Sequence, residues 1–222
     1  MKMYFIIGNP KTINALNGHF DINIGKLRSQ TKICVIDDEI FPKKNMLMQH
    51  EFQIKEIGDI RDINAVQAYQ IILCDIKGVG KAFGSDFEGG HIIEEINLYF
   101  PNKVIIAYTG ERLDPTYNRF FQIADQSIKK DASDDQWRNV IDGTIKLVYS
   151  PIEQWKKTRR RLLELDISSK DLVKVEDLYV QSYLTRSDLI SHNKTILGLK
   201  DDIKNILLHV AASFIYSAIT GR

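Results

Sequence analysis

Three short, unbroken apolar runs constrain this chain most, because each stops at polar residues that packing alone does not explain. Ile33-Cys34-Val35-Ile36 runs into Asp37-Asp38-Glu39. Ile71-Ile72-Leu73-Cys74 runs into Asp75. Val104-Ile105-Ile106-Ala107 runs into Tyr108-Thr109-Gly110. Continuous β-branched runs without alternation mark strands covered on both faces, as in a parallel sheet. Between and after them the spacing turns helical. Residues 91–99 put Ile92, Ile93, Ile96 and Tyr99 on one face before Pro101 ends the pattern. Residues 113–123 carry a weaker helical pattern. Residues 134–148 place Trp137, Val140, Ile141, Ile145 and Val148 at helical spacing. Strands alternating with helices predict βαβ units and a right-handed, doubly wound sheet.

The ends of the chain read differently. In residues 1–30, Tyr4-Phe5-Ile6-Ile7 looks like a strand, Asn9-Pro10 marks a turn, and Asn17-Gly18 suggests a hairpin. Beyond residue 149 the strand signals stop. Ser150-Pro151-Ile152-Glu153 is a helix start, with Ser as N-cap, Pro at the first position and Glu three on. Two more helices are predicted at residues 170–184 and 201–219. The expected organisation is an N-terminal extension over 1–30, an α/β domain over 31–149 and an all-helical region over 150–222. The formal charge of +1 gives no overall pull towards nucleic acid or an anionic membrane. Cys34 and Cys74 sit inside apolar runs and read as buried, reduced thiols. No segment reaches the roughly 20 apolar residues a bilayer span needs, and the reading is a cytoplasmic chain.

In an open parallel sheet, ligands bind beyond the carboxyl ends of the strands, at the point where strand order reverses. Asp37, Asp38, Asp75 and Thr109 all fall at such ends. Carboxylates gathered there repel one another, so a divalent cation is the natural partner. Mg²⁺ suits a few carboxylates together with waters and a phosphate oxygen.

Residues 31–149 resemble a bacterial response-regulator receiver domain. The likeness rests on an acidic pair ending the first strand (Asp37-Asp38), an acceptor ending the third (Asp75), and Thr109-Gly110 ending the fourth. The segment Ala124-Asp125-Gln126-Ser127-Ile128-Lys129-Lys130-Asp131 follows, whose ungapped placement on the Ala-Asp-x-x-x-x-Lys pattern selects Lys130. The resemblance implies a flavodoxin-like, five-stranded parallel sheet. It also implies roles. Asp75 accepts a phosphoryl group; Asp38, Asp75 and the Lys77 backbone carbonyl bind Mg²⁺. Asp37 contacts the metal or one of its waters. Lys130 offsets charge on the phosphoryl oxygens, and Thr109 hydrogen-bonds one of them. The implied partners are a histidine kinase or phosphotransfer protein and a downstream protein target. The only chemistry expected is the chain's own phosphorylation and dephosphorylation.

Some features depart from the receiver pattern. The segment after Asp75 is long, running from Ile76 to Glu88 before Gly89-Gly90, and is expected to put Lys77, Lys81, Asp86 and Glu88 near the site. Pro42 interrupts the stretch where a first helix is usual. Ser127 stands where an aromatic is common. Gly78-Val79-Gly80-Lys81-Ala82-Phe83-Gly84 imitates a dinucleotide-binding loop, but no helix pattern opens on it. One alternative is a pseudo-receiver that signals by binding without phosphoryl turnover. A third is a DNA-binding regulator using the basic cluster Lys156-Lys157-Thr158-Arg159-Arg160-Arg161. The last helix carries Ile203, Ile206, Leu207, Val210, Phe214 and Ala218 on a stripe widened by Leu208, Ile215 and Ile219. Such a stripe wants a cover, either the sheet domain or a second copy, and a homodimer through the C-terminal helices is the expectation.

Overall fold

The computed structural model describes residues 9–19, 22–110 and 115–220, and the side chains within these as far as residue 211. The chain forms two compact units. One holds residues 22–148; the other joins residues 9–19 to residues 149–220.

The first unit is built on five strands: β1 (Lys32–Ile36), β2 (Gln53–Glu56), β3 (Ile71–Asp75), β4 (Val104–Thr109) and β5 (Gln126–Lys129). All pair in parallel, in the order β2-β1-β3-β4-β5. This is the flavodoxin-like doubly wound order, and its reversal point lies between β1 and β3. The helices are α1 (Ile24–Arg28), α2 (Lys44–Gln49), α3 (Glu88–Tyr99), α4 (Asn118–Ile123) and α5 (Asp134–Tyr149). Strand alternation divides the core. Cys34, Ile36, Ile72, Cys74, Ile105 and Ala107 pack with Ile92, Ile93 and Ile96 of α3 and Phe120 of α4. The alternate residues of β4 meet Phe41 and α5: the Tyr108 ring lies 5.7 Å from Phe41 and 5.6 Å from Trp137. α1 is tied to α5 by Arg28, whose Nε and Nη2 donate to Asp142 at 2.8 and 2.6 Å.

β2 and α2 were not placed from the sequence. β2 is four residues long and only Ile54 is buried in it, so it carries no apolar run. α2 is a six-residue helix that starts two positions after Pro42. α3 begins at Glu88, so Gly89 and Gly90 lie in its first turn rather than before it.

The second unit contains α6 (Pro151–Glu164), α7 (Ser169–Thr185), α8 (Lys194–Leu197) and α9 (Asp201–Thr220). The Ser150 hydroxyl accepts the Glu153 N–H at 3.3 Å and Pro151 holds the first helical position, as the sequence indicated. The reciprocal half of the capping box is missing, because the Glu153 carboxylate pairs with Lys156 at 2.7 Å. The core gathers Leu16, Trp155, Leu162, Val175, Tyr179, Val180, Ile196, Ile203, Leu207 and Ala211. The stripe of α9, as far as it is described, is thus covered by the chain's own helices, a third possibility beside the sheet and a second copy. Ile13–Leu16 is a 3-10 turn that supplies Leu16 to this core. The proposed strand at Tyr4-Phe5-Ile6-Ile7 lies outside the described residues. Among the described residues, no helix is long and apolar enough to cross a membrane.

Candidate functional site

Sheet register assembles the site. Ile36 pairs with Cys74 and Asp75 with Tyr108, so Asp37, Asp75 and Tyr108 fall in one row at the carboxyl edge of β1, β3 and β4. That row lies at the reversal point, where the diverging connections leave an opening. Asp37 and Asp75 are 3% and 5% exposed, so each carboxylate needs partners inside the protein.

Lys130 supplies most of that need. It follows β5, where its N–H donates to the Thr109 carbonyl at 2.9 Å. Its ammonium lies 3.1 Å from Asp37 Oδ2, 3.1 Å from Asp75 Oδ2 and 3.2 Å from Glu39 Oε2. Asp75 Oδ1 accepts the Lys77 N–H at 3.1 Å. Asp37 Oδ1 accepts the Glu39 N–H at 2.9 Å, and Asp37 Oδ2 accepts the Tyr108 hydroxyl at 2.7 Å.

The two ends of the Lys130–Asp75 pair titrate differently. Burial raises the Asp75 carboxyl above the usual range, and the nearby Asp37 charge adds to this; the Lys77 N–H and Lys130 offset it only in part. Burial would lower Lys130, but hydrogen bonds to Asp37, Asp75 and Glu39 outweigh it and raise the ammonium.

Asp38 stands apart. Its side chain is 35% exposed and pairs with Lys81 at 3.2 Å, a contact worth at most about 1 kcal/mol at such exposure. Gly78, at φ +83°, lies against it; a Cβ there would come within 2.5 Å of Asp38 Oδ1. Lys77 projects towards Tyr117, its ammonium 5.4 Å from the ring centre. Thr109 closes β4 and is largely buried. The structure therefore brings Asp37, Asp75 and Lys130 into direct contact, sets Thr109 beside them through the backbone, and leaves Asp38 and Lys77 on the flank.

The long segment after Asp75 folds back on itself. Gly78 N–H donates to Glu88 Oε2 at 2.8 Å and Gly80 N–H to Asp59 Oδ1 at 2.5 Å. Carboxylates thus occupy the loop N–H groups that a nucleotide phosphate would need, and α3 opens only at Glu88. Three residues in this neighbourhood were not singled out from the sequence as partners: Tyr108, Glu39 and Asp59. Tyr108 had a legible signal, since it continues the alternation of Val104 and Ile106 onto the Asp75 face.

Among the described residues, no three His, Cys, Asp or Glu side chains form a ready-made metal cage. Mg²⁺ does not need one. It keeps most of its waters and takes one or two carboxylates with phosphate oxygens. The solvent-facing Asp38 and the buried Asp75 are carboxylates of the kind such an ion takes.

No family model and no curated protein matches this sequence. Solved structures do resemble it. CheY-like response-regulator receiver domains are among them. One is the receiver-domain protein of Methanospirillum hungatei JF-1: 19% identity, TM-score 0.45, covering 57% of this chain and 98% of that one. The response regulator TrrA of Thermotoga maritima, in complex with Mg²⁺-BeF, matches at 20% identity and TM-score 0.40, over 51% of this chain and 98% of that one. NtrX of Brucella abortus, in complex with ATP, matches at 18% and 0.45, over 60% and 34%.

Proposed function

We propose that the chain is a response regulator whose Asp75 accepts a phosphoryl group in a Mg²⁺-dependent reaction. The observation that carries this reading is the Lys130 ammonium held 3.1 Å from both Asp37 and Asp75 at the sheet's reversal point. A buried carboxylate with a fixed cation beside it is a poised nucleophile in a site already arranged for added negative charge.

Asp38, Asp75 and the Lys77 carbonyl would hold Mg²⁺, with Asp37 behind them. The bound ion supplies charge neutralisation on the phosphoryl oxygens. A carboxylate oxygen of Asp75 attacks phosphorus, the bond to the donor's leaving atom breaks (the imidazole nitrogen of a phosphohistidine, or the carboxylate oxygen of acetyl phosphate), and an acyl phosphate remains. The Lys77 N–H orients the nucleophile from one side, and Lys130 takes up charge from the other. The Thr109 hydroxyl, at the neighbouring strand end, then bonds a phosphate oxygen and draws its loop inward. The signal passes to a protein target in the cytoplasm, from a histidine kinase or phosphotransfer protein, with the helical unit pairing two copies.

A second reading has its own support. Asp37 already accepts bonds from Tyr108, Glu39 and Lys130, and Asp38 is paired with Lys81. Such a self-satisfied cluster suits a pseudo-receiver that signals by binding alone. Incubation with radiolabelled acetyl phosphate separates the two. The first reading expects label with Mg²⁺, none with EDTA, and release by hydroxylamine. An unlabelled, folded protein leaves the pseudo-receiver. In the same assay Asp38→Ala should remove labelling while leaving the melting temperature within a few degrees, because Asp38 makes only an exposed pair.

A further inference from the structure

We propose that Tyr108 is the positioning residue of this acid cluster: its hydroxyl sets the Asp37 carboxylate, and its ring passes the state of that carboxylate to Trp137 on α5. The role in metal binding rests on the reading of Asp75 given above; the link from Asp37 to Trp137 does not.

Three observations converge on Tyr108. It is fully buried in the row formed with Asp37 and Asp75. Its hydroxyl donates to Asp37 Oδ2 at 2.7 Å, and its ring centre is 6.0 Å from the Lys130 ammonium. Its far side packs on two other fully buried rings, Trp137 at 5.6 Å and 75° and Phe41 at 5.7 Å. Phe41 and Trp137 themselves meet edge to face at 5.1 Å. One side chain therefore touches the acid cluster with its polar end and the α5 core with its ring.

The physical consequence follows from packing. A buried phenol must keep an acceptor, and here the acceptor is a carboxylate whose other bonds come from Glu39 and Lys130. With Tyr108 in place, Asp37 has one available orientation. When a cation or a phosphoryl group changes what Asp37 faces, the phenol must follow the carboxylate or lose its bond. A close-packed interior transmits such a shift to its neighbours. Trp137 is the neighbour most able to register it, because among the described residues its indole N–H finds no hydrogen-bond partner and its ring packs edge to face on Tyr108 and Phe41.

Trp137 is one of two tryptophans, so Trp155→Phe makes it the sole reporter. In that background, without metal, Asp37→Ala and Tyr108→Phe should each shift Trp137 emission. The double variant should shift it no further than the larger single change, because both cut one link. Additive shifts, or an unmoved emission in Asp37→Ala, would overturn the proposal. Should the background fold poorly, difference spectra on the wild-type background give the same cycle. Then Mg²⁺ with beryllofluoride is added. The background should respond in emission. Tyr108→Phe should lose that response even at saturation and bind Mg²⁺ about tenfold more weakly by calorimetry, the usual scale for losing a group that orients a ligand. An equal response and equal affinity would overturn the proposal. If the background binds neither Mg²⁺ nor beryllofluoride, the Asp75 reading fails, and the metal-free cycle still decides the role of Tyr108.

Discussion

Asp75 is held at a cost. Burial raises its carboxyl pKa, so folding disfavours its charged form, and between the unfolded and folded pKa values the native state binds more protons. Stability attributable to this group therefore falls as pH rises through that window. Asp75→Asn removes the cost at neutral pH while Lys130 keeps Asp37 and Glu39. It should raise the melting temperature at pH 7 by about 2–4 °C, the scale of 1 kcal/mol for a chain this size. The gain should vanish at pH values below the ordinary carboxylate range. Thermal melts at two pH values check this; an Asn variant that melts lower at pH 7 would mean that the Lys130 bond outweighs burial. Lys130→Met should do the opposite, costing about 3–5 kcal/mol by leaving two carboxylates buried without their cation. At this scale much of the site was legible, because Asp37 and Asp75 sit at the ends of recognisable strands and Lys130 falls on the Ala-Asp-x-x-x-x-Lys pattern of the receiver resemblance. Glu39 was not, since its role depends on which side chain reaches across to Lys130, and sequence order does not encode that; Tyr108 showed its face through the β4 alternation but not its bond to Asp37.

Elements differ in how far the sequence announces them. β1, β3 and β4 are buried almost throughout and read as unbroken apolar runs. β5 is an edge strand with exposed Gln126, Ser127 and Lys129, and was found only through the pattern around Lys130. β2 has too few buried residues to declare itself. Ser150-Pro151-Ile152-Glu153 identified the start of α6 because capping is local chemistry, but Glu153 chose Lys156, a competition decided by side-chain reach. The join between β3 and α3 carries a tighter constraint. Gly89 N–H donates to Ile76 O at 3.1 Å, and a Cβ on Gly89 would collide with the Asp75 carbonyl oxygen and approach Val79 to 2.9 Å. Gly89→Ala should push the start of α3 away from the end of β3. The expected loss is about 1–3 kcal/mol, read by urea unfolding, together with weaker labelling of Asp75. An alanine variant with unchanged stability would show that the helix start can slide freely.

The molecule consists of two units with separate cores, and residues 9–19 belong with its C-terminal helices. Asp177 Oδ1 accepts the Lys11 N–H at 2.9 Å and Glu176 Oε1 the Ile13 N–H at 2.9 Å, tying the start of the chain to α7. Such a long-range pairing leaves no local signature, so the sequence suggested a hairpin on the sheet domain around Asn17-Gly18, where Ile13–Leu16 instead forms a 3-10 turn that joins the helical core. The covering of α9 was hidden for the same reason: a stripe shows that a partner exists, not which one. Truncation after Lys200 removes Ile203, Ile206, Leu207, Val210 and Ala211 from the helical core. It should expose Trp155, red-shifting its emission, while the sheet unit and Trp137 stay folded. Retained Trp155 emission would mean that the remaining helices close the core alone. Pairing of two copies through the helical unit should appear in sedimentation velocity at tens of micromolar as a dimer; a monomer there removes pairing from the account.

The central claim is that Asp75 is the phosphoacceptor. Borohydride reduction of the protein after acetyl phosphate and Mg²⁺, followed by peptide mapping, tests it directly, because an aspartyl phosphate is reduced to homoserine while a free carboxylate is not. Homoserine is expected at position 75 and at no other aspartate. Homoserine elsewhere, or none at all in a folded protein, would contradict it.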